Sequence, residues 1–125
     1  MALKQDIPAG VLFIGEDKRL RLRIFDENGI TPLDIGSMTF RWTFSQSPSD
    51  ETALITKTSA AGKISVSGVF NLIPASNTQY VEVEVDAEDT AAMFKGRYHH
   101  ALRRADVGSR TVLTYGEVQL SEASR

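Results

Sequence analysis

The sequence contains no cysteine and a single tryptophan, and no apolar run in it approaches the length of a membrane-spanning helix, about 20 residues. Without cysteine there is no disulfide framework, no thiol nucleophile and no cysteine-ligated zinc. The chain also lacks an excess of basic residues, since 14 Lys and Arg stand against 16 Asp and Glu and give a net charge of −2. We therefore expect neither nucleic acid nor membrane as a partner, because both attract strongly basic surfaces.

The chain does have the composition of a packed domain. Its 125 residues fit one folding unit, and 42% of them are hydrophobic. We predict a single domain over residues 1–120, in which residues 1–14 form a first strand or a docking arm. The polar residues 121–125 are predicted to be a frayed tail.

Apolar and polar residues alternate in several short segments, and turn-forming residues separate them. Residues 18–25 alternate Leu and Ile with Arg, residues 80–86 alternate Val with acids, and 26–29 are typical of a turn. A further short strand is predicted from 64 to 73, and one short helical turn begins at 87. About seven strands spaced in this way indicate an all-β, immunoglobulin-like antiparallel β-sandwich, with a small barrel as the competing architecture.

The strand around Trp42 carries the largest apolar side chains and favours the sandwich. A large aromatic between two sheets lets a chain without disulfides bury enough apolar area. The predicted core includes the following residues: Leu22, Phe40, Trp42, Val83 and Tyr98.

The sequence lacks two common catalytic motifs. Lys63 is followed by Ile64, so the P-loop pattern is absent, and no serine stands in a nucleophile elbow. His99 and His100 are adjacent in a predicted strand, where neighbouring side chains leave on opposite faces and cannot chelate one metal. His100 has core parity, which predicts a hydrogen-bonded core residue. We expect no catalytic residue, no metal site and no cofactor, and hence no enzyme.

Two rows of opposite charge lie on predicted outward faces. In an immunoglobulin-type strand order the second and fifth strands are neighbours, so the rows would face each other as a ladder of ion pairs. The acidic row could instead hold calcium, which binds several carboxylate oxygens. The predicted structural ladder consists of Arg19, Arg21, Arg23, Glu82, Glu84 and Asp86.

Basic residues also gather on the outward face of the other predicted sheet. A face that mixes Arg with an aromatic residue has the composition of a protein contact. The alternative is an ordinary solvated sheet face. The protein-interface candidates are Arg41, Arg97, His99, Arg103 and Tyr115.

The ordered set of motifs resembles the N-terminal domain of phage baseplate upper proteins, over roughly residues 15–120. Each motif taken singly is also ordinary β-turn chemistry. The motifs are Gly15-Glu16-Asp17, Asp26-Glu27-Asn28-Gly29, Thr31-Pro32-Leu33-Asp34-Ile35, Phe40-Arg41-Trp42, Ser47-Pro48, Asp89-Thr90-Ala91-Ala92-Met93, Gly96-Arg97-Tyr98 and Gly116-Glu117-Val118.

This resemblance implies a non-enzymatic virion structural protein, an adaptor at the tail tip, baseplate or fibre of a tailed bacteriophage. Its partners would be other virion proteins of the tail, baseplate, fibre or capsid, and it would assemble as a homo-oligomer. Its location would be the virion, built in the cytoplasm of the host bacterium. A capsid decoration protein and a carbohydrate-binding module are the alternatives.

Overall fold

A computed structural model describes residues 3–25, 30–49, 52–106, 108 and 111–122 of the chain. The predicted turn at 26–29 and residues 123–125 of the predicted tail lie outside this set. The described residues form nine strands, one helix and one 3₁₀ turn. The strands are β1 (Leu3–Lys4), β2 (Ile7–Phe13), β3 (Lys18–Leu22), β4 (Phe40–Ser45), β5 (Ile55–Thr58), β6 (Ile64–Ser67), β7 (Tyr80–Val85), β8 (Gly96–Arg104) and β9 (Val112–Ser121); the helix is α1 (Ala87–Thr90), and the 3₁₀ turn spans Pro74–Ser76.

The strands form two sheets that enclose one core. The larger sheet has the order β1-β9-β8-β4-β5, with β2 also paired to β9, and the smaller has the order β3-β7-β6. The two N-terminal strands pair with β9 in parallel, and the other pairings are antiparallel. This order follows the immunoglobulin arrangement of strands. The prediction of an all-β sandwich is therefore confirmed.

Alternation within the strands directs the large side chains into the space between the sheets. Trp42 is completely buried, and the ring of its neighbour Phe44 stacks on that of Tyr98 with 4.9 Å between centroids. Val83 enters the core from the middle strand of the smaller sheet. All five predicted core residues are buried.

The N-terminal segment forms two strands where the sequence predicted one, and Gln5 lies between them. The backbone N–H of Gln5 donates to the carbonyl of Tyr115 at 2.7 Å. Gly116 makes this approach possible, because a Cβ there would lie 2.2 Å from the carbonyl oxygen of Gln5. At the other end of the pairing Ser121 is opposite Phe13, so Ser121 is the last residue of β9 and not part of a tail.

The prediction of a strand as far as Ile73 is wrong. β6 ends at Ser67 because Gly68 has a φ of +83° and turns the chain back towards Thr78. The following loop is held by hydrogen bonds to Thr78 and to buried Asn77. Its apolar side chains point outwards: Val69, Leu72 and Ile73 are 73%, 66% and 61% exposed.

Candidate functional site

A groove lies on the outer face of the larger sheet, where β4, β8 and β9 run side by side. Arg41 of β4 and Arg103 of β8 are directly opposite each other, and Tyr115 of β9 is opposite Ala101. Small side chains at Thr43 and Ala101, which are also opposite each other, leave room between the larger ones. The groove has a volume of about 580 Å³.

The two arginines give the groove its charge. Arg103 donates from Nη1 to the hydroxyl oxygen of Thr43 at 3.3 Å. Within the described part of the chain, neither Arg41 nor Arg103 has a carboxylate within 4.0 Å. Like charges directly opposite on neighbouring strands destabilise a sheet, so the pair costs the fold stability.

The other interface candidates divide between the groove and its surroundings. His99 lines the groove, and Tyr115 lines it with 43% of its surface exposed. Arg97 lies outside the groove, further along β8, and its Nε is 3.9 Å from a carboxylate oxygen of Glu117. The structure therefore brings together four of the five candidates and separates the fifth.

The predicted ion-pair ladder has the expected strand pairing but different contacts. β3 and β7 are neighbours, with Arg19 opposite Glu84 and Arg21 opposite Glu82. Glu82 contacts both arginines, at 3.5 Å from Arg19 and 3.7 Å from Arg21. Arg23 is not a rung of the ladder, because its Nη1 donates to the backbone carbonyl of Asn77.

Glu84 and Asp86 also depart from the predicted ladder. β7 is the middle strand of its sheet, so its outward acids are shared between β3 on one side and the residues before β6 on the other. Lys63 lies on that second side, with its Nζ 3.6 Å from Glu84 and 3.2 Å from Asp86. Among the residues that the structure describes, no group of three or more His, Cys, Asp or Glu is arranged to hold a metal ion.

A buried ion cluster at one end of the sandwich was not predicted. Lys57 of β5 is only 7% exposed, and its Nζ lies 2.9 Å from Asp86 and 2.7 Å from Asp89, which follow β7. The cluster thus ties the larger sheet to the smaller. Burial lowers the pKa of Lys57, but hydrogen bonds to the carboxylates of Asp89 and Asp86 outweigh it, and the pKa is raised overall. The sequence signal is the shared parity of Lys57 with the apolar Ile55.

His100 is a hydrogen-bonded core residue, as its parity predicts. Trp42 donates from Nε1 to Nδ1 of His100 at 3.2 Å, and the other ring nitrogen, Nε2, is 2.6 Å from the carbonyl oxygen of Gln5. Since Nδ1 accepts a hydrogen bond, the proton of the neutral ring is on Nε2 and is donated to Gln5. One side chain therefore joins the central tryptophan to the N-terminal segment.

We expect stability to fall as the pH drops below about 6.5, the ordinary pKa of histidine. Burial lowers the pKa of His100, and the hydrogen bond to the Gln5 carbonyl and the negative charge of Asp6 only partly offset it. The unfolded chain therefore binds a proton at this histidine more readily than the folded chain does. Lowering the pH consequently favours unfolding. Urea unfolding at pH values between about 5 and 7, on either side of the ordinary histidine pKa, measures the effect.

The neighbouring histidine provides the control for this pH dependence. His100→Gln should abolish the loss of stability in that window, whereas His99→Gln on the outer face should retain it. A profile unchanged by His100→Gln would contradict the assignment.

No protein-family model matches the chain, and no curated protein matches it significantly. None of the helices in the described residues is long and apolar enough to cross a membrane. The fold and the groove are thus the observations on which a function has to be argued.

Proposed function

We propose that the protein is a non-enzymatic structural component of a tailed-phage virion. It acts as an adaptor at the tail tip, baseplate or fibre and binds other virion proteins through the groove on its larger sheet. The resemblance of its ordered turn and strand motifs to the N-terminal domain of phage baseplate upper proteins supports this proposal. Repeated copies in a symmetric particle would make each weak contact count several times.

The observation that carries the proposal is the pair of arginines in the groove. Arg41 and Arg103 face each other without a carboxylate among the described residues, in a position that costs the fold stability. A contact with another protein would explain why the chain carries two opposed arginines that destabilise its own fold. The adjacent exposed Tyr115 adds the aromatic surface that protein interfaces favour.

Charge reversal in the groove tests this function. We expect Arg41→Glu combined with Arg103→Glu to abolish incorporation into particles, because the variant would repel the surface that the native groove attracts. Quantitative mass spectrometry of purified particles from the phage that encodes the chain measures incorporation. Circular dichroism and a melting curve of the isolated variant establish that it folds.

The other outcomes separate the alternatives. Normal incorporation of the folded variant would contradict the groove as the contact. Hundreds of copies per particle, counted in the same measurement, would identify a capsid decoration protein. Binding of the purified chain to a glycan array would favour a carbohydrate-binding module. The exposed aromatic rings for such a module among the described residues are Phe94 and Tyr115, since Arg21 covers the ring of Tyr80 at 5.0 Å.

A further inference from the structure

The arginines of the groove differ from the other described arginines in their contacts. Arg19 and Arg21 contact Glu82, and Arg97 contacts Glu117. Arg104 contacts Asp106, and Arg23 donates to the Asn77 carbonyl. In residues 3–25, 30–49, 52–106, 108 and 111–122, only the two groove arginines lack an acidic or carbonyl partner.

Arg41 and Arg103 therefore have unused donors that face the same space. A guanidinium carries five N–H donors, and the described contact of Arg103 with Thr43 uses one of its nitrogens. The two residues are opposite each other on adjacent strands, so an anion between them would contact both guanidinium groups. It would also remove the repulsion between them. Guanidinium groups of arginine bind carboxylates through short, charge-assisted hydrogen bonds.

The surroundings of the pair favour a single carboxylate over a polyanion. Val112, Pro48 and Ala53 contribute apolar lining to the groove, which suits a peptide. Glu117, opposite His99 on β9, limits the positive surface beyond the pair. The chain as a whole carries a net charge of −2, which disfavours nucleic acid and other extended polyanions.

We propose that the groove is a carboxylate-binding site that receives one Asp or Glu side chain of a peptide segment from a partner protein. Arg41 and Arg103 bridge the carboxylate, and Tyr115 and Val112 contact the flanking residues of the segment. This site rests on the proposed function, since it specifies the chemistry of the surface that the adaptor recognises.

The test is a titration of the full chain, isotopically labelled, with a capped pentapeptide of alanine that has a single glutamate at its centre. At low ionic strength we expect the Nε–Hε signals of Arg41 and Arg103 to shift, with a dissociation constant in the millimolar range. The matched peptide with glutamine in place of glutamate should bind at least about tenfold more weakly, since it has no charge to offer. Added salt should weaken binding of the glutamate peptide.

Variants assign the binding to the two arginines. Arg41→Gln and Arg103→Gln should each reduce the affinity for the glutamate peptide at least about tenfold, because a charge-assisted hydrogen bond is lost. Arg97→Gln is the matched control, since it removes an arginine from the same strand and face but outside the groove, and it should bind normally. The melting temperatures of the Arg41 and Arg103 variants should be unchanged or raised, because their mutual repulsion is removed.

Three results would overturn the site. The glutamate and glutamine peptides could bind equally, inorganic phosphate could shift the two signals where the glutamate peptide does not, or Arg97→Gln could weaken binding as much as the groove variants. A fall in melting temperature for the groove variants would show that the arginines stabilise the fold instead. These measurements use the purified chain, whereas the virion role is tested by incorporation into particles. A negative peptide titration would therefore contradict the carboxylate site and leave the virion role to be decided by incorporation.

Discussion

Replacing Lys57 by methionine is expected to lower the free energy of unfolding by about 3 kcal/mol, because it removes one partner of a buried ion cluster. Methionine has a similar length and remains compatible with the buried position. The carboxylates of Asp86 and Asp89 would then be left side by side without the ammonium that now lies within 2.9 Å of both. Urea unfolding at neutral pH measures the loss.

Lys63→Met is the matched control for this prediction. Lys63 contacts the same Asp86 at 3.2 Å, but its side chain is 36% exposed against 8% for Lys57. Water can solvate the carboxylate in place of an exposed ammonium. Lys63→Met should therefore lower the free energy of unfolding far less than Lys57→Met does. The deficit of Lys57→Met should also shrink in strong acid, because hydrogen bonds from Lys57 and Lys63 lower the pKa of Asp86 and their contribution is lost once that carboxylate is protonated. Equal losses from the two variants would contradict a special role for the buried cluster.

Replacing Trp42 by alanine is expected to cost about 4 kcal/mol, the usual range for a large aromatic lost from a core. Trp42→Phe should cost about 2 kcal/mol, although it retains most of the apolar surface, because Nδ1 of His100 loses its donor inside the core. Thermal and urea unfolding of both variants measure these losses. Both variants lose the hydrogen bond, so the difference between their free energies of unfolding measures the contribution of the buried aromatic ring.

A double-mutant cycle isolates that hydrogen bond. In the background of His100→Phe the acceptor is already absent, so Trp42→Phe should cost about 1–2 kcal/mol less than in the native chain. Costs that add to within about 0.5 kcal/mol would show that the two side chains act independently.

Local alternation was sufficient to predict the strands whose two faces differ. The immunoglobulin strand order predicted that the arginine face of β3 lies opposite the acidic face of β7, and the two strands are neighbours, with Arg21 opposite Glu82. The parity of Trp42 and of His100 likewise placed both in the core. These predictions need only the alternation of residues within one strand and, for the neighbouring strands, one rule on strand order.

Contacts between distant segments were not predictable in the same way. The apolar residues after Gly68 were predicted to continue the strand of Ile64 and Val66, but Asn77, buried at 5% exposure, holds that segment as a loop. The shared parity of Lys57 and Ile55 is visible in the sequence, but the two carboxylates that the residues after β7 bring to Lys57 are not. The groove depends on the small side chains of Thr43 and Ala101 lying opposite each other, and that placement follows only from the register of the sheet.

The parallel pairing of the N-terminal segment with β9 determines when the larger sheet is completed during synthesis. Gly10 donates to the hydroxyl oxygen of Ser121, 111 residues later in the chain. At about 5–20 residues per second, the segment waits roughly 5–20 s for its partner strand to be translated. Throughout that interval Ile7 and Leu12, which are buried in the finished fold, have no β9 to pack against. Translation rate therefore sets how long this apolar segment is available to other contacts.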